Sequence, residues 1–186
     1  MRIVAGRFGG RPLVAPKGSG TRPTSDKARQ ALFNVLEHAD WTPPLEGARV
    51  MDIYAGSGAL GFEAISRGAS FCLFVETAAA ARGAIRDNAE ALQLFGITRI
   101  HRRDATSLGT KPAGVGPQFD IAYMDPPYGY DLAPKTLRTL KEGGWLKPDA
   151  LVVLEVGEDE TPDTSGWTVL DQRDWGKAKV LFLRGE

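Results

Sequence analysis

The chain has 186 residues, 42% of them hydrophobic, which suffices for one sizeable core; no apolar run approaches the roughly 18 residues of a membrane span, and MRIVAGRFGG lacks the apolar stretch of a secretion signal, so a cytoplasmic protein without a membrane partner is expected. Cys72 is the only cysteine, which excludes an intrachain disulfide, and with His38 and His101 as the only histidines there is no zinc-ligand spacing, so no metal is expected. The net charge of zero hides an asymmetry: residues 1–25 hold Arg2, Arg7, Arg11, Lys17 and Arg22 and no acid, leaving 18 basic and 23 acidic groups, a net of −5, for the rest. A basic arm on a mildly acidic body suggests a polyanionic partner at one edge.

The arm, RIVAGRFGGRPLVAPKG, alternates short apolar pieces with Gly and Pro and reads as a small hairpin followed by a loop, too short to hold a core of its own. With Thr24 or Ser25 as N-cap and Asp26 in the first turn, Ala28, Ala31, Leu32, Val35, Leu36 and Ala39 predict an amphipathic helix that ends near the TPP at 42–44. This hairpin and helix form an extension over 1–45, ahead of a main domain over 46–186. In that domain strand and helix alternate: strand 49–54, helix 62–67, strand 71–76, helix 78–94 and strand 97–103, then strand 119–124, helix 132–142 and strand 151–156. Alternation of this kind implies right-handed βαβ units and a doubly wound α/β sheet. The last two strands, 167–172 and 178–183, are joined by the turn RDWGK with no room for a crossover helix, so they are predicted to pair antiparallel.

VMDIYAGSGALGFEA places Gly56, Gly58 and Gly61 between a strand and a helix, the context of a nucleotide-binding turn, although a tight turn alone would also use these glycines. Three further strand ends carry acids. Glu76 closes the second strand 24 residues after Asp52, near the spacing at which a carboxylate accepts from ribose hydroxyls, and its alternative role is to cap the next helix. Asp104 closes the third strand, where it can accept from an adenine amine with the Ala105 N–H toward a ring nitrogen, or can simply make a turn. His101 with Arg99, Arg102 and Arg103 reads as a solvated edge.

The quartet Asp125-Pro126-Pro127-Tyr128 follows the fourth strand, 73 residues after Asp52, and belongs beside the same crevice. Two prolines fix φ and remove two N–H donors, leaving the Asp125 carboxylate and nearby carbonyls as a stiff array of acceptors. Such an array suits an exocyclic amine, held by both N–H bonds while Tyr128 stacks on the ring.

These motifs resemble the class I S-adenosylmethionine-dependent methyltransferases, with DIYAGSGALG as cofactor loop and DPPY as amino-methylating signature. RIVAGRFGGRPL, TRPTSDKARQALFNVL, DIYAGSGALGFEAISRGA and MDPPY together look like the bacterial enzymes that methylate guanine N2 in small-subunit (16S) ribosomal RNA, over nearly the whole chain. The resemblance implies a Rossmann-like sheet of seven strands with an antiparallel last strand. It also implies S-adenosylmethionine as cofactor, with Asp52 and the Gly56-Ser57-Gly58 loop at the methionine part, Glu76 at the ribose, and Asp104 and Ala105 at the adenine. Asp125, Pro126 and Tyr128 then hold the guanine, and the partner is the small ribosomal subunit, approached by a monomer. Residues 106–118, rich in Gly and Pro, depart from the family pattern. Arg2, Arg7, Arg11, Lys17 and Arg22 are candidates for phosphate contact. The alternatives are an N6-adenine DNA methyltransferase, for which the chain has no room for a target-reading region, a glutamine methylase, which would carry Asn at position 125, a dehydrogenase, and a non-catalytic RNA-binding scaffold.

Overall fold

The computed structural model describes residues 1–17 and 25–186. Seven strands form one sheet: β1 (Arg49–Ile53), β2 (Phe71–Val75), β3 (Thr98–His101), β4 (Phe119–Met124), β5 (Leu146–Gly157), β6 (Trp167–Trp175) and β7 (Ala178–Gly185). Their spatial order is β3-β2-β1-β4-β5-β7-β6. β1 to β5 run parallel, and β7 is antiparallel to both of its neighbours. The chain therefore moves outward from β1 to β3, then returns to β4 on the other side of β1. That reversal opens a crevice beyond the carboxyl ends of β1 and β4.

Both faces of the central strands are apolar, as a sheet covered on both sides requires. Val50, Ile121, Leu151 and Val153 face one cluster, with side chains of α1 (Asp26–His38), α2 (Ala59–Ser66) and α3 (Ala79–Ala91). Alternate residues Met51, Ala122, Val152 and Leu154 face the other, with α4 (Ala133–Glu142) and Trp145. Ser25 is the N-cap of α1, its side chain accepting from the Ala28 N–H at 3.0 Å, while Thr24 lies outside the described residues. The buried face of α1 is Arg29, Leu32, Phe33 and Leu36, rotated by about one position from the predicted stripe. Ala28, Ala31, Val35 and Ala39 are only partly covered, because Phe33 supplies the larger apolar surface and Arg29 is drawn inward by the Arg2 carbonyl, Asp26 and the buried Glu63.

α2 begins at Ala59, three residues before the predicted start, with Gly61 in its first turn. A Cβ at Gly61 would stand 2.4 Å from Phe74 Cε1 and 2.6 Å from Cys72 Sγ, so this glycine serves close helix-on-strand packing. All eight residues of α2 are buried. Cys72 is a core residue as expected, and burial pushes its thiol well up.

The N-terminal arm forms a minimal hairpin, with a single antiparallel bridge from Arg2 to Pro12. It shares the main core rather than building its own: Ile3 and Leu13 belong to the same cluster as Leu32 of α1, Leu45, Val50 and Ile65. Side chains of α2 and α3 hold its backbone. Glu63 accepts from the Val4 and Ala5 N–H groups at 2.8 and 3.1 Å, Ser66 Oγ accepts from Phe8 at 3.0 Å, and Asn88 pairs with both backbone groups of Val14. Glu63 is fully buried and is also bonded by Arg67 Nε at 2.8 Å, with the buried Arg29 Nε 3.8 Å away. Arg29 in turn donates to the Arg2 carbonyl at 2.8 Å and to Asp26 at 2.7 Å.

Removing one partner from a buried ionic network leaves the others uncompensated, at a cost of about 3–5 kcal/mol. Glu63→Ala is therefore expected to lower folding stability by about that amount in urea titrations. It should also make the first residues of the chain cleavable by protease under conditions where the wild-type arm resists.

Candidate active site

The rim of the crevice is built from residues that stand one step past the strand ends. The ladders continue into it: the Ala55 N–H donates to the Val75 carbonyl at 3.2 Å, Glu76 to His101 at 3.2 Å and Asp125 to Ile53 at 3.4 Å. These bonds fix the backbone from which the carboxylates project. The glycine loop starts at Tyr54, a bulky residue at φ 61° whose hydroxyl is hydrogen-bonded to Thr136 Oγ1 of α4 at 2.7 Å. A positive φ is costly for such a residue and is held here by the sheet and by that bond. Burial raises the Tyr54 phenol, with the bond to Thr136 opposing.

Gly58 (φ 81°) caps α2, and a Cβ there would come within 2.9 Å of both Phe62 and Phe74. Gly56 (φ 59°) differs, since a Cβ at that position would project into open space. The loop backbone at Gly56 is thus accessible to a ligand without a side chain in the way. Its N–H donates to Glu76 Oε1 at 2.8 Å. Glu76 Oε2 accepts from Thr77 and Ala78 at 2.9 and 3.0 Å. Glu76 therefore ties the end of β2 to the loop and also satisfies amides at the start of α3. Ser57 is buried, its carbonyl accepting from Asn88 Nδ2 at 3.1 Å and its hydroxyl facing Met1 Sδ at 3.5 Å.

Asp52 is 2% exposed and accepts from the Gly61 N–H through Oδ2 at 3.0 Å. It acts on the crevice through the loop, by holding the first turn of α2. Burial pushes its carboxyl up to about 8, the Gly61 bond opposes this and the charge of Glu76 adds to it. Asp104 makes a local turn, Oδ1 accepting from both the N–H and the hydroxyl of Thr106 at 2.8 and 2.7 Å, and these bonds lower its carboxyl. Ala105 beside it is buried in the second core cluster.

After β4, Pro126 is buried and Tyr128 is partly exposed, with its ring alongside Gly157 at the end of β5. Gly129 N–H donates to Glu160 Oε1 at 3.2 Å, which fastens the turn to the loop after β5. The Asp125 carboxyl is pushed well above the ordinary carboxylate range by burial, then by the charge of Glu155, by a side-chain hydrogen bond with Glu155 and by Asp52. Glu155 was not among the residues singled out from the sequence. The signal for it was a single acid in the apolar run LVVLEVG.

The structure therefore brings Asp52, Gly56, Glu76, Asp125, Tyr128 and Glu155 to one end of the sheet, with Asp104 exposed beyond β3. Carboxylates gathered in partly desolvated positions favour a cationic ligand and disfavour a pyrophosphate. The amide at Gly61, part of the helix end at which a dinucleotide phosphate is normally held, is already committed to Asp52.

One expectation around this rim changes. His101 is half-buried, with its ring 5.6 Å from Trp145 at 66°, rather than part of a solvated edge; burial, then Arg103 and Arg99, lower its imidazole. Arg99 and Arg103 bond the carbonyls of Gly114 and Leu108 and so fasten residues 106–118, where Leu108 and Val115 are buried. Of the arm cations, Arg2 is bonded to Asp26 at 3.1 Å, Arg7 lies 4.7 Å over the Phe8 ring, and Arg11 reaches the Ala91 carbonyl at 3.0 Å. All three are exposed, as is Lys17, while Arg22 lies outside the described residues.

The model of the family described as Conserved hypothetical protein 95 matches residues 1–184. The Ribosomal RNA small subunit methyltransferase D of Haemophilus influenzae is 33% identical, covering 95% of this chain and 89% of that protein. The protein of the same name from Escherichia coli is 36% identical, covering 83% and 74%. The solved structure of yhhF from Escherichia coli superimposes with a TM-score of 0.81 at 30% identity, covering 100% of this chain and 98% of that one. A matched family model over nearly every residue, and relatives above 30% identity over most of their own length, establish that the chain belongs to the family described as Conserved hypothetical protein 95.

Proposed function

We propose that this protein transfers the methyl group of S-adenosylmethionine to the exocyclic N2 of a guanine in small-subunit ribosomal RNA. The observation that carries this reading is the placement of the Asp125-Pro126-Pro127-Tyr128 turn directly across the reversal of strand order from the Gly56 loop and Glu76. The names of the relatives point to small-subunit ribosomal RNA as the substrate. When bound, S-adenosylmethionine supplies an electrophilic methyl on a sulfonium cation, and the cluster of carboxylates suits that charge. Gly56, Ser57 and Gly58 line its methionine end with Asp52 holding the loop, Glu76 takes the ribose hydroxyls, and Asp104 with Ala105 borders the adenine.

Asp125 and the carbonyl beside Pro126 accept the N–H bonds of the guanine amine while Tyr128 stacks on the base. The amine lone pair is conjugated with the ring, so this holding turns the nitrogen toward the methyl carbon and contributes mostly by positioning. Arg2, Arg7, Arg11, Lys17 and Arg22 supply phosphate contacts from the arm, which serves as an RNA-facing extension over 1–45. The assembled or partly assembled small subunit is the substrate, because so few cations carry little sequence information and a folded particle can present one looped-out base. One copy holds every residue of the site, consistent with action as a monomer, and its RNA substrate places it in the cytoplasm.

The reading is tested by incubating the protein with labelled S-adenosylmethionine and small subunits lacking N2-methylguanine, followed by nucleoside analysis. Label in N2-methylguanine is expected, faster on subunits than on naked RNA; label only in another base overturns the assignment. Glu76→Ala should weaken cofactor binding by about 1–3 kcal/mol in calorimetry, the cost of unpaired polar groups. Asp125→Ala is expected to abolish single-turnover transfer and leave cofactor affinity nearly unchanged. For the arm, each of Arg7→Ala, Arg11→Ala and Lys17→Ala should lower the slope of log affinity against log salt by about 0.7–0.9 for each phosphate that the side chain no longer neutralises. An unchanged slope would leave the arm as ordinary solvated surface.

A further inference from the structure

The β4–β5 register pairs Met124 with Leu154, so the next residues, Asp125 and Glu155, stand side by side at the carboxyl ends of adjacent parallel strands. They continue the row Ile121 and Tyr123 on one strand and Leu151 and Val153 on the other, on the face covered by α1 and α2. Glu155 is half-buried among apolar neighbours on β5 and is paired across β7 with Val180. A carboxylate in such a place needs a partner, and among the described residues the β4–β5 register sets another carboxyl beside it.

We propose that Glu155 is a positioning residue for methyl transfer, standing beside the Asp125 carboxyl and forming with it the pair that receives the proton shed by the guanine amine and holds it in a carboxyl–carboxylate hydrogen bond. This rests on the reading of function given above. A like charge beside it in a partly desolvated site raises the affinity of Asp125 for a proton, so the ionised pair accepts the N–H bonds of the amine and then takes up one of its protons, which it holds between the two carboxyls. In the transfer, the N2 lone pair forms a bond to the methyl carbon as the methyl–sulfur bond breaks, its electron pair remaining on sulfur. N2 is then cationic. One of its protons passes to a carboxylate oxygen of the pair and from there to water, leaving neutral N2-methylguanine and a neutral thioether.

The groups that face the pair set the direction of its pH response. From β5 it is Glu155 itself and from β1 it is Asp52, both raising the Asp125 carboxyl. α1 presents Leu32, Phe33 and Leu36 to this part of the sheet, and its buried Arg29 is directed to Arg2, Asp26 and Glu63. Lys179 of β7, opposite Val156, bonds the Glu160 carbonyl at 2.9 Å, and Glu160 bonds Gly129. Tyr123 precedes the pair on β4 and Tyr128 follows it. Below its raised pKa Asp125 is protonated and loses its acceptor, so transfer falls on the acid side. Removing the Glu155 charge lowers the pH at which that happens.

The test compares wild type with Glu155→Gln by two readouts: the acid limb of single-turnover methyl transfer, and the 13C NMR titration of the Asp125 carboxyl in the cofactor-free protein. Both are expected to move together to lower pH in the variant, by about 1–3 pH units, with S-adenosylmethionine affinity within about twofold of wild type. A merely structural Glu155 would change stability and leave both positions where they were, and that result overturns the proposal. Should Glu155→Gln not fold, the wild-type titration still decides, because an Asp125 carboxyl in the ordinary range rules out the pair. A wild-type protein that transfers no methyl to guanine overturns the functional reading and the role of the pair in it, and the carboxyl titration distinguishes that failure from absence of the pair itself.

Discussion

Parallel strands send all their carboxyl ends to one side of a sheet, and a reversal of strand order leaves a gap there that no crossover fills. This is the constraint on which the site depends. β1, β2, β4 and β5 each deliver one acid to the same rim, Asp52 and Glu155 from within β1 and β5 and Glu76 and Asp125 just beyond β2 and β4. In water four carboxylates would repel weakly. Beside buried strands, burial pushes Asp52 up to about 8 with the charge of Glu76 adding to it, and burial and then the charge of Glu155 move Asp125 in the same direction. A site of this composition is poised for a cation and for an amine that donates hydrogen bonds, which are the two partners that amine methylation brings together.

The arm depends on the same core by a different route. It has too few apolar residues to fold alone, so α2 supplies polar side chains that satisfy its backbone, chiefly Glu63 and Ser66. Glu63 lies one helical turn beyond Ala59, in the helix that Asp52 caps through Gly61. One short, fully buried helix thus shapes the glycine loop at its start and fastens the basic arm along its length. The position of the exposed arginines relative to the crevice is set by that helix rather than by the hairpin.

Much of this was legible in the residues. The alternation of apolar runs and amphipathic segments determines a doubly wound sheet, because a chain of this length has few other ways to bury both sets of faces. Gly56, Gly58, Glu76 and the Asp125 turn were recognisable because their chemistry is written locally: a turn needing positive φ, an acid ending a strand, two prolines after a core strand. Cys72 was legible as core from its neighbours. The terminal strands were read as antiparallel from the short turn between them, and β7 lies antiparallel to β5 and β6 as that turn demands.

What the sequence could not contain was the sum over distant partners. Arg29 on a predicted polar face is buried because Glu63, thirty-four residues away, offers it a charge, and the apolar stripe of α1 turns to accommodate it. His101 leaves the solvated edge because Trp145 arrives from beyond α4. Glu155 looked like one acid in a buried strand until the β4–β5 register set it beside Asp125. Local pattern determined which residues form strands, turns and caps, since those preferences act within a few residues. Only the tertiary structure decided which charges share a site, because that depends on register and crossover, to which no short stretch of chain is sensitive.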